Sequence, residues 1–277
     1  MLTQEQLERD LKDVPALPAA VTEILEALNQ EGAELDLLES KLSKDPSLVT
    51  RTLAIANSPF YGMTGAIASI RESCMILGIA TLKHIAMAAG AVNSFPPNSG
   101  NQISNRHIWQ HAFCTGSAAK VIAAQIGADK EVAFTAGLLH DVGRMVLDHC
   151  YPVEYAQVIA FRDNNECSLF DAEMAVLGVS HCRAGEIVAK RWNLPEAITT
   201  IIRDHHSPEQ DSDNIILELV RVGMFVSYKL EVGDQGDLLV PELSESTMRH
   251  IGMELPELMQ CLPEISELNQ SAGILIG

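Results

Sequence analysis

Phe134-Thr135-Ala136-Gly137-Leu138-Leu139-His140-Asp141-Val142-Gly143-Arg144 decides how this chain is read. Its first half is apolar or small and suits a buried helix, yet it runs straight into an imidazole beside a carboxylate. Burial would desolvate both. An unpartnered buried aspartate is costly, so the pair demands a metal, a cationic partner or a backbone cap. His-Asp alone is a weak motif; the Leu-Leu before it and the Gly after it make it more specific.

Working outward, nearly every long segment repeats its apolar residues at three- and four-residue spacing, and alternating strand-like runs are scarce. The fold class is therefore all-α. Val21, Ile24, Leu25 and Leu28 form one helical stripe, and Leu37, Leu38 and Leu42 form another. Asp45 caps a helix that has Pro46 at its first position, carries Leu48, Leu53, Ile55 and Ala56, and stops at Asn57-Ser58-Pro59. Ser69 caps a further helix through Leu77, Gly78 interrupts, and the next runs from Thr81 to about Val92. Pro96-Pro97-Asn98-Ser99-Gly100-Asn101 is the clearest turn cluster. Two helical lobes follow: residues 1–98, and residues 99–277 with short closing helices at 244–251 and 256–269. Between those, helices are expected near 104–127, 130–147, 151–164, 168–177, 180–192, 195–205 and 213–231.

The composition narrows the function. With 37 Asp+Glu against 19 Lys+Arg, the formal charge of -18 repels nucleic-acid phosphates and anionic lipid. The six cysteines are scattered, lack a C-x-x-C pair and read as reduced core thiols. The first ten residues lack a basic stretch leading into an apolar run, and no segment has the apolar length of a membrane span. A cytoplasmic location, with neither nucleic acid nor membrane as partner, is expected. At 277 residues and 47% hydrophobic composition, folding needs no metal as a staple, so a metal here would serve function.

Seven of the nine histidines fall between positions 107 and 206. His107 and His111 are one helical turn apart and could share a face. Trp109, Trp192, Met224 and Phe225 read as core. Asp45-Pro46 and Asn57-Ser58-Pro59-Phe60-Tyr61-Gly62 read first as a helix start and a helix stop, with an exposed Phe60-Tyr61 docking patch as the alternative. Arg144, Arg183, Lys190 and Arg203 lie near the histidines in sequence; as helix-face charges they would be solvated.

The second lobe resembles the HD superfamily of metal-dependent phosphohydrolases, and the whole chain is similar to its HDOD branch. The matching pieces run in order: Leu17-Pro18, Asp45-Pro46-Ser47-Leu48, Ala56-Asn57-Ser58-Pro59-Phe60-Tyr61-Gly62, Ser69-Ile70, Leu77-Gly78, Trp109-Gln110-His111 and Leu139-His140-Asp141-Val142-Gly143. Leu177-Gly178-Val179-Ser180-His181, Trp192-Asn193-Leu194-Pro195-Glu196 and His205-His206 complete the set, covering roughly residues 14 to 230.

The resemblance implies that His111, His140 and Asp141 are metal ligands, and that His181, His205 and His206 are the ligands added in two-metal branches. Such a mixed nitrogen and oxygen set suits iron, manganese, nickel or zinc. It also implies a closing aspartate in a later helix, where this chain has Met224. Glu218, six residues earlier, is about 120° around and about 9 Å along a helix and cannot stand in. Asp204, Asp211 and Asp213 are the other candidates. No Gly-Tyr-Pro follows His205-His206, so the cyclic-dinucleotide hydrolysis of the branch bearing that motif is not expected.

The expected function is accordingly an HDOD-type signalling or regulatory protein with a degenerate HD pocket, acting through a signalling protein or a small nucleotide ligand, with a homo-oligomer compatible. The alternative is an active metal-dependent phosphohydrolase on a nucleotide or other phosphoester.

Overall fold

The computed structural model describes residues 1–28, 35–57, 61, 67–96, 102–207, 213–233, 243–270 and 272–273. Every regular element among them is helical, so the all-α expectation holds. The first part holds α1 (Gln4–Asp10), a short 3-10 turn (Leu11–Asp13), α2 (Ala19–Leu28), α3 (Leu35–Leu42), α4 (Pro46–Ala56), α5 (Ile70–Leu77) and α6 (Ile79–Ser94). Then come α7 (Asn105–Ile126), α8 (Lys130–Leu139), α9 (Val142–Cys150), α10 (Pro152–Asn165), α11 (Leu169–Val176), α12 (His181–Arg191), α13 (Glu196–Asp204) and α14 (Ile215–Lys229). The chain closes with α15 (Glu245–Ile251) and α16 (Leu255–Gln270).

The starts follow side-chain chemistry. Asp45, Ser69, Ser104, Asp129, Ser168, Asn214 and Ser244 each accept a bond from a backbone N–H of the first helical turn. Gly78, at φ +85, ends α5 in a conformation that a side chain would disfavour.

Buried apolar side chains form one core running from Leu7 to Leu268. Its centre is α7, which packs against α8, α14 and α16, and α8 also carries α6. Small residues set the close approaches. A Cβ on Gly137 would meet Gly116 Cα at 2.7 Å, and one on Gly223 would meet Thr115 O at 2.4 Å. Helices α8 and α14 can therefore lie tightly on α7, which brings histidines from separate helices to one point.

The N-terminal segment is tied to later helices. Leu7 and Leu11 are buried, Leu2 N–H donates to Leu177 O at 2.7 Å, and the Trp192 indole donates to Pro15 O at 3.1 Å. Trp109 is buried and its indole donates to Phe95 O at 2.8 Å, as a core anchor should.

Two expectations are corrected. Tyr61 is not an exposed docking residue: its hydroxyl donates to Glu131 Oε2 at 3.0 Å and its ring lies 3.9 Å beneath the Lys120 ammonium. Phe60 and the turn at residues 97–101 lie outside the described residues. The single helix expected over 130–147 is two, α8 and α9, broken at His140-Asp141. Asp141, at φ -98 and ψ 10, leaves the helix, and its carboxylate makes no capping bond to α9 because it is directed elsewhere.

Candidate metal centre

Asp141 is where the buried histidines converge. Its Oδ2 lies 3.6 Å from His140 Nε2 and 4.0 Å from His111 Nε2. Its Oδ1 lies 3.5 Å from both His181 Nε2 and His205 Nε2, and those two nitrogens are 3.3 Å apart. The donor atoms form two groups that share Asp141: His111, His140 and Asp141, and Asp141, His181, His205 and His206, each within 4.8 Å. His206 is the half-buried member; the others are buried. All six sequence candidates are thus brought together. His107 is exposed and stands apart from both groups.

The backs of the rings explain why the fronts point inward. His140 Nδ1–H donates to Gly137 O at 2.6 Å, and His205 Nδ1–H donates to Ile202 O at 2.9 Å, in both cases a carbonyl of the preceding helical turn. His111 Nδ1–H donates to Ser227 Oγ at 2.9 Å, and His181 Nδ1–H donates to Glu173 Oε2 at 2.6 Å. Each of these four rings is therefore turned with Nε2 toward Asp141, the arrangement by which outer partners orient metal-binding imidazoles.

Burial lowers the His140 pKa to about 3, which keeps that ring neutral and fit to ligate. Burial alone would raise the Asp141 pKa, but His140 and Arg144 hold it well below the usual carboxylate range. Burial would likewise lower the His181 pKa, whereas Glu173 drives it up.

A cation fits this donor set. His140 Nε2 and Asp141 Oδ1 are buried without a well-formed hydrogen bond among the described residues, a state a divalent ion would resolve. Tetrahedral bonds of about 2.1 Å imply donor separations of about 3.4 Å, close to the 3.3 and 3.5 Å found around Asp141 Oδ1.

Of the four basic residues near the histidines, Arg144 alone departs from the expected solvated helix face. Arg144 is buried, not solvated, and donates to Asp141 Oδ2 at 3.0 Å. Arg183 and Lys190 stay at the surface and bond Glu186, with Arg203 close by and paired to Asp204. Cys182 Sγ is 3.8 and 3.9 Å from the two nitrogens of His205. It belongs to neither donor group. Burial raises the Cys182 pKa, but His205 and His181 outweigh burial and bring it to about 6.

No described carboxylate replaces the one implied at Met224, which is buried one turn before Ser227. Glu218 is held by Arg221 at 2.8 Å and Thr247 at 2.6 Å, Asp204 pairs with Arg203, and Asp213 is exposed. Asp211 lies outside the described residues.

The HDOD domain family model matches residues 14–208, a span that contains all six candidate ligands. The chain belongs to the HDOD family. An HDOD domain protein of unknown function from Geobacter sulfurreducens is 26% identical, with a TM-score of 0.81 over 97% of both chains. A phosphohydrolase candidate from Shewanella amazonensis SB2B (21% identical, TM-score 0.78, 98% of both chains) and a signal-transduction candidate from Marinobacter aquaeolei VT8 share the fold. The latter is 20% identical with a TM-score of 0.77, over 100% of this chain and 63% of that one. A protein of unassigned function from Treponema pallidum (strain Nichols) is 27% identical over 199 residues, 71% of this chain but only 38% of that relative.

Within this HDOD chain, sequence reasoning missed Glu173 and Ser227. Glu173 is fully buried; its Oε2 also accepts the His181 backbone N–H at 2.7 Å and its Oε1 accepts the Tyr155 hydroxyl at 2.9 Å. It thereby caps α12, whose own N-cap Ser180 makes no side-chain cap bond. A signal was present, since Leu169, Ala172, Glu173 and Val176 sit at one-face helical spacing, with a carboxylate in the apolar stripe.

Proposed function

We propose that this HDOD protein is a signalling or regulatory module whose HD-derived pocket binds a divalent cation and works by ligand or partner binding rather than by efficient hydrolysis. The observation that carries this reading is four imidazoles locked from behind at Nδ1 and converging at Nε2 on Asp141, combined with Met224 where a closing carboxylate would complete an enzyme's set. The candidate ligands for iron, manganese, nickel or zinc form two groups that share Asp141, one with His111 and His140 and one with His181, His205 and His206. Such a cation supplies Lewis acidity toward phosphate oxygens. The protein's own residues keep the pocket dry and fix the ring orientations, and half-buried His206 marks the approach from solvent. In this reading the segments 1–98 and 99–277 act as two lobes, the second carrying the pocket. The partner would be a signalling protein or a small nucleotide ligand, and the setting the cytoplasm. Among the described residues no helix is long and apolar enough to cross a membrane.

The second reading, an active metal-dependent phosphohydrolase, is favoured by the four-donor group of Asp141, His181, His205 and His206. Phosphatase and phosphodiesterase assays on a nucleotide panel, run with iron-, manganese- and zinc-loaded protein, separate the two. Binding without turnover supports the regulatory reading. Turnover that disappears in His140→Ala supports the enzyme.

A further inference from the structure

The two groups around Asp141 are not equivalent. Oδ1 faces His181 and His205, both at 3.5 Å, and no arginine or lysine bonds it among the described residues. Oδ2 faces His140 and His111 at the longer 3.6 and 4.0 Å and already accepts the Arg144 guanidinium at 3.0 Å. A fixed cation bonded to the same oxygen opposes a metal there by charge and by occupying a lone pair.

The outer partners differ in the same direction. His181 is backed by the buried carboxylate of Glu173, itself held by the Tyr155 hydroxyl, whereas His111 is backed by a serine hydroxyl and His140 by a backbone carbonyl. A carboxylate behind an imidazole raises its basicity as a ligand more than a neutral acceptor does. The donor counts also differ: four on one side and three on the other.

We infer that the centre holds one cation, seated on the His181, His205 and His206 side of Asp141, with Glu173 the positioning residue for that side and Arg144 closing the side of His111 and His140. The inference rests on the metal-binding reading above and specifies where the ion sits. The occupied subsite then takes the carboxylate of the His140-Asp141 pair but not its imidazole. Its three imidazoles and one carboxylate suit zinc, iron or cobalt over magnesium or calcium.

The test is titration of metal-stripped full-length protein with Co(II), followed by absorption and by hyperfine-shifted proton resonances of ligated imidazoles. The expected result is one cobalt per chain with resonances from three histidines. His206→Ala should abolish or greatly weaken uptake, and His111→Ala should change the Kd less than about threefold. Glu173→Gln should weaken cobalt binding about 10–100-fold. Glu173 also packs structurally, so melting of the metal-free variant is compared: a purely structural role lowers the melting temperature and leaves the Kd of the folded fraction unchanged, which overturns the positioning assignment. Two cobalt ions, or one ion ligated by two histidines and lost in His111→Ala, overturns the subsite assignment and leaves the metal reading standing. No cobalt uptake by folded wild-type protein overturns both. The wild-type resonance count decides the subsite even if a variant fails to fold.

Discussion

Gly143 stands two residues after Asp141, and a Cβ there would lie 1.9 Å from His181 O and 2.7 Å from Gly185 N. The backbones of α9 and α12 thus touch beside the site, and only glycine lets Asp141 and His181 approach. Gly143→Ala should force the two helices apart, cost about 3 kcal/mol or more, and weaken metal binding along with stability. Urea unfolding and metal titration of the variant check this; unchanged stability would mean that the helices do not lie so close. At this scale the sequence was most informative about the ligands, because His and Asp are chemically conspicuous in an apolar setting. It was least informative about what stands behind them. Ser227 is one hydroxyl among many, and Arg144 resembles any helix-face cation until burial places it on Asp141.

Helix α8 presents Glu131 to Tyr61 and to Lys120 of α7, with Lys120 Nζ 3.4 Å from Glu131 Oε1. Burial lowers the Lys120 pKa from 10.5 to about 8, and Glu131 offsets only part of this. Between about pH 8 and 10.5 the unfolded chain keeps its lysine proton better than the folded one, so this group's contribution to stability rises with pH across that window. The gain is on the order of 3 kcal/mol at most. Wild type should therefore become more stable relative to Lys120→Met from pH 8 to 10.5, as read by urea unfolding of both proteins; a constant difference would contradict a depressed lysine. At the N-terminus, Leu7 of α1 is buried although the HDOD match begins only at residue 14. Leu7→Ala should cost about 2–5 kcal/mol by equilibrium unfolding. Helix positions were legible from periodicity and caps. The break at His140-Asp141 was not, since both residues suit a continuing helix locally and only the demand for a carboxylate at the site turns Asp141 out.

Across the whole molecule, one core unites helices from Leu7 to Leu268, and the candidate ligands come from α7, the α8–α9 break, α12 and the end of α13. An ion that binds only the folded chain must stabilise it, by about 2.7 kcal/mol at a free concentration 100 times its Kd. Chelation should lower the melting temperature of wild type and leave that of His205→Ala nearly unchanged. Which of two overlapping donor groups is stronger depends on distances of a few tenths of an ångström and on Arg144, information that spacing along a chain does not hold. The most direct measurement of the metal-centre claim is elemental analysis of protein purified without chelator or affinity-tag metal, beside His205→Ala. The predicted result is close to one transition-metal ion per wild-type chain and little in the variant. Metal-free wild-type protein from metal-replete cells, or equal metal in both, would contradict it.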